Sequence, residues 1–446
     1  MNLPRRSLAV AVVVAATVVG GGTWWHVRRL DAMEREASAK AVSANAAELQ
    51  VRTADVAFYE ARAERDPESA TDRAHLAALY MQRGRETADE RDYLRAEQTA
   101  RASLALRTQR NGEASVVLAA ALLAQHRFVE ARDVARTLVG REPDVDAYRA
   151  LLGETNLELG EYDDARTAFA SISPSGRRAL GIAPRLARWA EIRGDTIAAR
   201  EILRSAVEAA DKDGDLPREQ VAWFHLRLAD MYLRQGHERG AERELRDGLA
   251  INPADHRLLA ARARLAAVRQ EWRDAIAYGD SATAVVLDPA TLGIESDAYA
   301  ALGDTARATE YAVAMEVAAG RQAGAYHRAW SLFLLDHSRR VPEVLAAAQA
   351  ELTGRRDING YDLLAWALYK SGRAHDARAP MAAALAQGTQ DPMFLYHAGM
   401  IARAANDPGA ARDYLQRALT IAPKFDHVAP AIARAVLDSL RRGAAD

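Results

Sequence analysis

The chain reads as an all-α protein, an α-solenoid of stacked antiparallel helix pairs, and three observations carry that reading. Alanines recur at 131, 165, 199, 241, 275, 308, 377 and 411, each five residues after a Gly, Asn, Gln or His, with a usual step of 33 or 34 residues. A fixed period in the thirties is the mark of a stacked repeat array. Within a unit, large and small residues alternate at steps of three and four, as in Leu395, Ala398 and Gly399 and again in Ala411, Leu415 and Ala418. That spacing puts them on one helical face, where small side chains let two antiparallel helices approach closely. No long run alternates with period two and aromatics make up only 6% of the chain, so strands have no support.

Residues 1–30 stand apart from the repeats. Arg5 and Arg6, an apolar run from Leu8 to Val19, three glycines, Trp24-Trp25 and Arg28-Arg29 make an export or membrane segment. Leu8 to Val27 spans about 20 residues, enough to cross a hydrocarbon core, and paired tryptophans suit the interface. The rival reading is a cleaved signal peptide. The lack of a clear Ala-x-Ala cleavage site behind the run, and the tryptophans and arginines directly after it, favour a retained anchor. Arg5-Arg6-Ser7-Leu8 matches a twin-arginine signal only in part. Basic residues flank the run on both sides, so charge sets no orientation. A short anchor ahead of one long folded region points to the extracytoplasmic, periplasmic side of a bacterium, with a cleaved and soluble periplasmic protein as the alternative.

Residues 31–67 are rich in Ala, Glu and Arg and are expected to form a helical stalk and N-terminal cap, with Val51, Val56, Phe58 and Tyr59 as its apolar contacts. Residues 68–425 hold about ten units. Gly160, Gly194, Gly236, Gly303 and Gly372 fall in the turn between the two helices of a unit, where a positive φ favours glycine. One step of 42 carries an eight-residue insertion at Asp211–Pro217, a possible flex point over 211–220. Its aspartates lack the glycine and glutamate of a calcium loop, having Leu216 and Ala222 there, so a solvated turn closed by Pro217 is expected. One step of 69 hides a degenerate unit at 323–357, bulky with Tyr326, Trp330, Phe333, Leu334 and Leu335. Pro342 stands where its alanine belongs and is expected to start the second helix. His427 to Leu440 reads as an amphipathic helix within a C-terminal cap over 426–446.

Individual units carry a finer pattern. Leu228, Ala229, Tyr232, Gly236, Ala241, Leu245 and Pro253 stand in one, Leu118, Ala119, Leu122, Ala131, Leu138 and Pro143 in another, and Leu152, Gly153, Ala165 and Phe169 in a third. The pattern resembles the tetratricopeptide repeat over roughly residues 68–425. The resemblance implies a superhelix whose first helices line a concave, protein-binding groove. Mapped onto this chain, the early units offer Val116, Ala120, Ala150, Glu154 and Arg188, without the lysines and asparagines by which some relatives clamp a terminal carboxylate. The middle units offer Trp223, Asp230, Arg234, Arg257 and Arg264 as secondary candidates. The last units offer His327, Asn359, Asp362, Trp366, Tyr369, Tyr396, Met400 and Arg403. Aromatic and arginine side chains carry much of the energy of protein interfaces, so this last group is the candidate site. The competing reading makes its aromatics core between helices.

Composition narrows the function further. Lys and Arg number 59 against 61 Asp and Glu, a net charge of −2 that lacks the footprint of a nucleic-acid binder. There is no cysteine, which excludes disulfides, thiol catalysis and cysteine–zinc sites. His237-Glu238 opens like a zincin motif, but Ala241 stands at the second histidine. No phosphate loop, nucleophile elbow or dinucleotide fingerprint occurs. The expected protein is no enzyme and carries no cofactor or metal. It is a membrane-tethered scaffold, held through residues 8–27, for one or more proteins or peptide segments. The alternatives are a periplasmic adaptor for envelope assembly or secretion, a ligand-binding or enzyme-accessory protein, and a cytoplasm-facing regulator.

Overall fold

The computed structural model describes residues 39–321 and 328–442. The segment at 1–30, its 8–27 run and His327 lie outside these residues. Among the described residues no helix is long and apolar enough to cross a membrane.

The described residues are helical, without strands. A first helix, α1 (39–65), precedes ten antiparallel pairs. They are α2 (Ala70–Thr87) with α3 (Glu90–Leu106), α4 (Gly112–Ala124) with α5 (Phe128–Arg141), and α6 (Asp146–Leu159) with α7 (Tyr162–Ala170). Next come α8 (Ala183–Ile192) with α9 (Thr196–Ala210), α10 (Arg218–Arg234) with α11 (Glu238–Ile251), and α12 (His256–Val268) with α13 (Trp272–Thr283). The last four pairs are α14 (Pro289–Ala301) with α15 (Thr305–Arg321), α16 (Arg328–Asp336) with α17 (Val341–Glu351), α18 (Ile358–Lys370) with α19 (Ala374–Leu385), and α20 (Pro392–Ala404) with α21 (Pro408–Ile421). A final helix, α22 (Ala429–Arg442), closes the array.

The marker alanine is the fourth residue of the second helix in each regular pair. Ala131, Ala165, Ala199, Ala241, Ala275, Ala377 and Ala411 are all 0% exposed there, and only Ala308 is half-buried. In the degenerate pair that place belongs to Val344, also 0% exposed, rather than to Pro342. Pro342 lies in the first turn of α17, where no intrahelical partner is needed for its missing N–H. The large residues fit facing small ones: Phe169 packs where a Cβ on Gly153 would come within 2.5 Å of its ring, and Leu415 likewise against Gly399 at 2.6 Å. Aspartates start many of the helices. The carboxylates of Asp195, Asp288, Asp357 and Asp407 each accept an otherwise orphaned amide from the first turn.

Both caps differ in detail from the expectation. On α1 Val56 is buried and Tyr59 half-buried, but Val51 and Phe58, seven residues apart on the opposite face, are exposed. The C-terminal helix starts at Ala429, because the Asp426 carboxylate takes the amides of Val428 and Ala429 and fixes the first turn there. His427 lies outside it and pairs with Asp297 at 3.0 Å.

The pairs coil tightly enough for successive turns to touch. The amide of Arg356 donates to the carbonyl of Leu159 at 3.1 Å, and that of Ile358 to the Tyr162 hydroxyl at 2.7 Å. Arg355 joins Glu158 at 3.1 Å and lies over the Phe128 ring at 4.8 Å. Gly194 meets Gly388, and Gly236 meets Ala422. At the other end of the coil, Glu48 accepts from the amide of Arg218 at 3.1 Å, and Gln82 donates to Glu219 at 3.3 Å. One apolar cluster crosses this seam, with Leu157, Trp189 and Ile192 on one side and Ile358, Phe394 and Ile401 on the other.

The seam explains three of the turn glycines, Gly160, Gly194 and Gly236, beyond their positive φ. A Cβ on Gly160 (φ 77°) would lie 2.2 Å from the carbonyl oxygen of Arg356, whereas one on Gly303 (φ 83°) would meet nothing within 4 Å. Gly303→Ala should therefore lose about 1 kcal/mol, the left-handed backbone term alone. Gly160→Ala should lose clearly more in urea unfolding because the seam must open as well.

A buried carboxyl gives the fold a pH dependence. Glu295 on α14 is 0% exposed, and neither of its oxygens has a hydrogen-bond partner. Burial, then the negative charge of Asp280, pushes its pKa from about 4.5 up to about 8. The folded chain thus holds a proton that the unfolded chain has released, so stability falls as pH rises between about 4.5 and 8 and is level on either side. Glu295→Gln should raise the melting temperature at pH 8.5, leave it nearly unchanged at pH 4.5, and flatten the slope between.

Candidate functional site

The inner face of the coil is built from the first helix of each pair. On α10, Trp223, Arg227, Asp230 and Arg234 follow at steps of four, three and four, which puts them on one stripe. On α8 the corresponding stripe is Arg185, Arg188 and Glu191, and on α6 it is Glu154 and Glu158.

Charges on these stripes pair between neighbouring units. Arg185 meets Glu154 at 2.6 Å, Arg188 meets Glu158, and the two nitrogens of Arg234 grip both oxygens of Glu191, the longer bond 3.1 Å. Arg264 on α12 meets Asp230. Each arginine belongs to the later unit and each carboxylate to the earlier. Burial works against the Arg188 and Arg234 charges, yet Glu158 and Glu191 keep these guanidiniums above their ordinary range. Burial also opposes the Asp230 charge, but Arg264 and Arg234 hold its carboxyl below the usual value.

Two openings lie along this inner face. One, of about 600 Å³, is walled by Leu157 of α6, Arg188 of α8 and Trp223 and Phe224 of α10. Part of its wall comes from Leu180 and Leu216, which belong to the two long connections at 171–182 and 211–217, and Arg85, Arg185, Glu154 and Glu219 also border it. The other, of about 410 Å³, lies between Arg234, Arg328, Asn359 and Phe394. Arg188 and Arg227 line both. Among the described residues no His, Asp or Glu side chains are grouped to hold a metal ion.

The C-terminal candidates occupy a different setting. Trp366 is 2% exposed, donates its indole N–H to Asp336 at 2.8 Å and stacks on His397 at 4.1 Å. His397 meets Asp362 at 2.7 Å, and Asp362 accepts from Arg328 at 2.8 Å. Tyr396 and Met400 are buried in the same cluster, with Tyr369 half-buried against the Trp366 ring at 4.7 Å. Burial pushes the Asp336 carboxyl up, while His397 and Arg328 overcome burial and hold Asp362 down. These side chains form a hydrogen-bonded core joining α16, α18 and α20. Asn359 is half-buried beside the second opening, and Arg403 is exposed.

Of the middle-unit candidates, Trp223 lines the larger opening and Arg234 the smaller. Arg257 is held by Asp255 at 2.6 Å and Glu219 at 2.7 Å, and with Asp230 and Arg264 it borders a further crevice of about 290 Å³. The residue that the groove positions of the repeat pass over is Arg227. The four-three-four spacing from Trp223 to Arg234 carries it onto the inner stripe, and that spacing was the signal for it.

Comparison with known proteins fits this architecture. Residues 116–179 and 363–424 match the tetratricopeptide repeat. These repeats cover α4 to α7 and α18 to α21 in large part. Cellulose synthase operon protein C of Pseudomonas fluorescens is 31% identical over 172 residues, a stretch covering 36% of this chain. The chain spans 13% of that protein's length. The APC/C hetero-tetramer Cut9–Hcn1 aligns over 90% of this chain and 95% of its own, with 13% identity and a TM-score of 0.33. A tetratricopeptide repeat protein from Parabacteroides merdae aligns over 59% of this chain and 98% of its own, with 15% identity and a TM-score of 0.34.

Replacing Trp366 by alanine empties a fully packed site and leaves Asp336 unpaired. Thermal or urea unfolding of Trp366→Ala should show a loss of about 3–5 kcal/mol. The exposed Arg403→Ala should stay within about 0.5 kcal/mol of the parent.

Proposed function

We propose that the chain is a non-catalytic scaffold that holds one or more proteins on the inner face of its coil. The observation that carries this reading is the opening between α6, α8 and α10, where Trp223 and a row of arginines stay accessible inside a stack of tetratricopeptide-type pairs. Tryptophan and arginine in a concave, partly desolvated setting are the residue types that anchor partners. The partial likeness to a cellulose synthase operon protein supports a partner that belongs to a cellulose synthase system. The apolar run from Leu8 to Val27 supports a tether that keeps the coil at a membrane, on its extracytoplasmic side.

Crosslinking of the full-length chain in its native membranes, followed by purification, tests this. A protein recovered in fixed ratio to the chain and lost with Trp223→Ala, while circular dichroism shows the helices intact, is the expected result. A chain recovered alone, or with the same company whether or not Trp223 is present, would remove the scaffold reading from this face.

A further inference from the structure

The inner face carries one positive charge that the chain does not answer. Arg185, Arg188 and Arg234 each have a carboxylate from a neighbouring unit. Arg227, on the same stripe, makes no hydrogen bond, ion pair or ring contact. Asp230, Glu191 and the neighbouring Arg234 and Arg188 are near enough to be felt, but burial is the largest influence and pushes its guanidinium pKa below the ordinary arginine value. Arg227 is half-buried, borders the cavity and has no carboxylate of its own within ion-pair distance, so its guanidinium is free to meet a group that enters the space.

The space in front of Arg227 has a definite character. About 600 Å³ lies within the range of small-molecule sites. Leu157, Leu180, Leu216, Trp223 and Phe224 give it an apolar wall. Two of these, Leu180 and Leu216, stand on the long connections that depart from the regular repeat, so the insertion at 211–217 builds a wall of the cavity. Glu154 and Glu219 also border the space, each already engaged by an arginine, Arg185 and Arg257. Arg185 and Arg85, the latter 3.7 Å from Glu219, line the same space and offset these two carboxylates.

We propose that this cavity binds a small amphipathic monoanion, with its carboxylate on Arg227 and its ring or hydrocarbon body against Trp223, Leu180 and Leu216. Arg85, Arg185 and Arg188 on the same wall each have a carboxylate, so Arg227 leaves one positive charge to be matched by one negative charge on a ligand. The apolar wall selects a body that leaves water readily. The site lies in the same opening that the scaffold reading uses, but it needs no protein partner, so either can fail without the other.

Three probes of one shape test it by titration calorimetry on the full chain: 1-naphthoate, 1-naphthyl phosphate and the neutral 1-naphthamide. The expected result is one naphthoate per chain, bound about tenfold or more tighter than naphthamide, with the phosphate weaker than naphthoate. Arg227→Met should bring naphthoate down to the naphthamide level, and Arg227→Lys should restore part of the difference. The ligand-free Arg227→Met chain should melt at or above the parent temperature, which separates loss of binding from loss of fold. Equal affinity for naphthoate and naphthamide, unchanged naphthoate binding in Arg227→Met, or no binding to the folded chain at millimolar probe would overturn the proposal. Tighter binding of the phosphate would overturn the monoanion assignment.

Discussion

The backbone of Gly160 lies against the carbonyl of Arg356, and much of the architecture follows from how close that approach is. A helix pair buries its small residues against its own partner and its neighbours, which is enough to stack units but leaves the pitch of the coil open. The seam fixes the pitch. Backbone bonds from Arg356 and Ile358, the Arg355–Glu158 pair and an apolar cluster shared by α6, α8, α18 and α20 bring the second turn onto the first. Where the turns meet, no side chain fits at Gly160 or Gly194, so residue choice at two loop positions sets the spacing of whole layers.

Closing the coil places its inner charges in a setting where each one needs a partner. Buried ion pairs stabilise little over apolar packing, but breaking one leaves the other charge stranded. The ladder from Glu154 through Arg264 meets that constraint by drawing every pair from two adjacent units, so the charges also register one unit against the next. The near equality of 59 basic and 61 acidic residues has a structural counterpart in this inner pairing. Arg227 is the exception, and it faces the opening between α6, α8 and α10.

The repeat was legible because packing imposes it locally. An alanine at the fourth place of a second helix meets the same close packing in every regular pair, so its period survives in the sequence wherever the pair is regular. The degenerate unit was harder: Val344 fills the alanine's place, and a count by fixed steps lands on Pro342. Trp366 and Tyr396 occupy groove positions by repeat arithmetic, yet the bulk of α16 and the seam bury them, a consequence of contacts between units that a period does not encode. The seam itself left only the glycines as a trace, and a turn glycine has a sufficient local reason to be there. Arg227 looked like its neighbours because a missing partner is a property of the fold rather than of the residue.

An open-ended solenoid folds and frays unit by unit, since each repeat answers only to the two beside it. This coil is wired differently. The contact between Glu158 and Arg355 joins residues 197 apart, and closing a loop of that length adds little entropy beyond a shorter one. Its effect is on cooperativity: loosening the turn between α6 and α7 also releases the loop before α18, and damage in one layer is felt in the next. Such a chain gives up the elasticity of an open spring and gains the all-or-none character of a globular domain, with slow, long-range closure as the kinetic consequence.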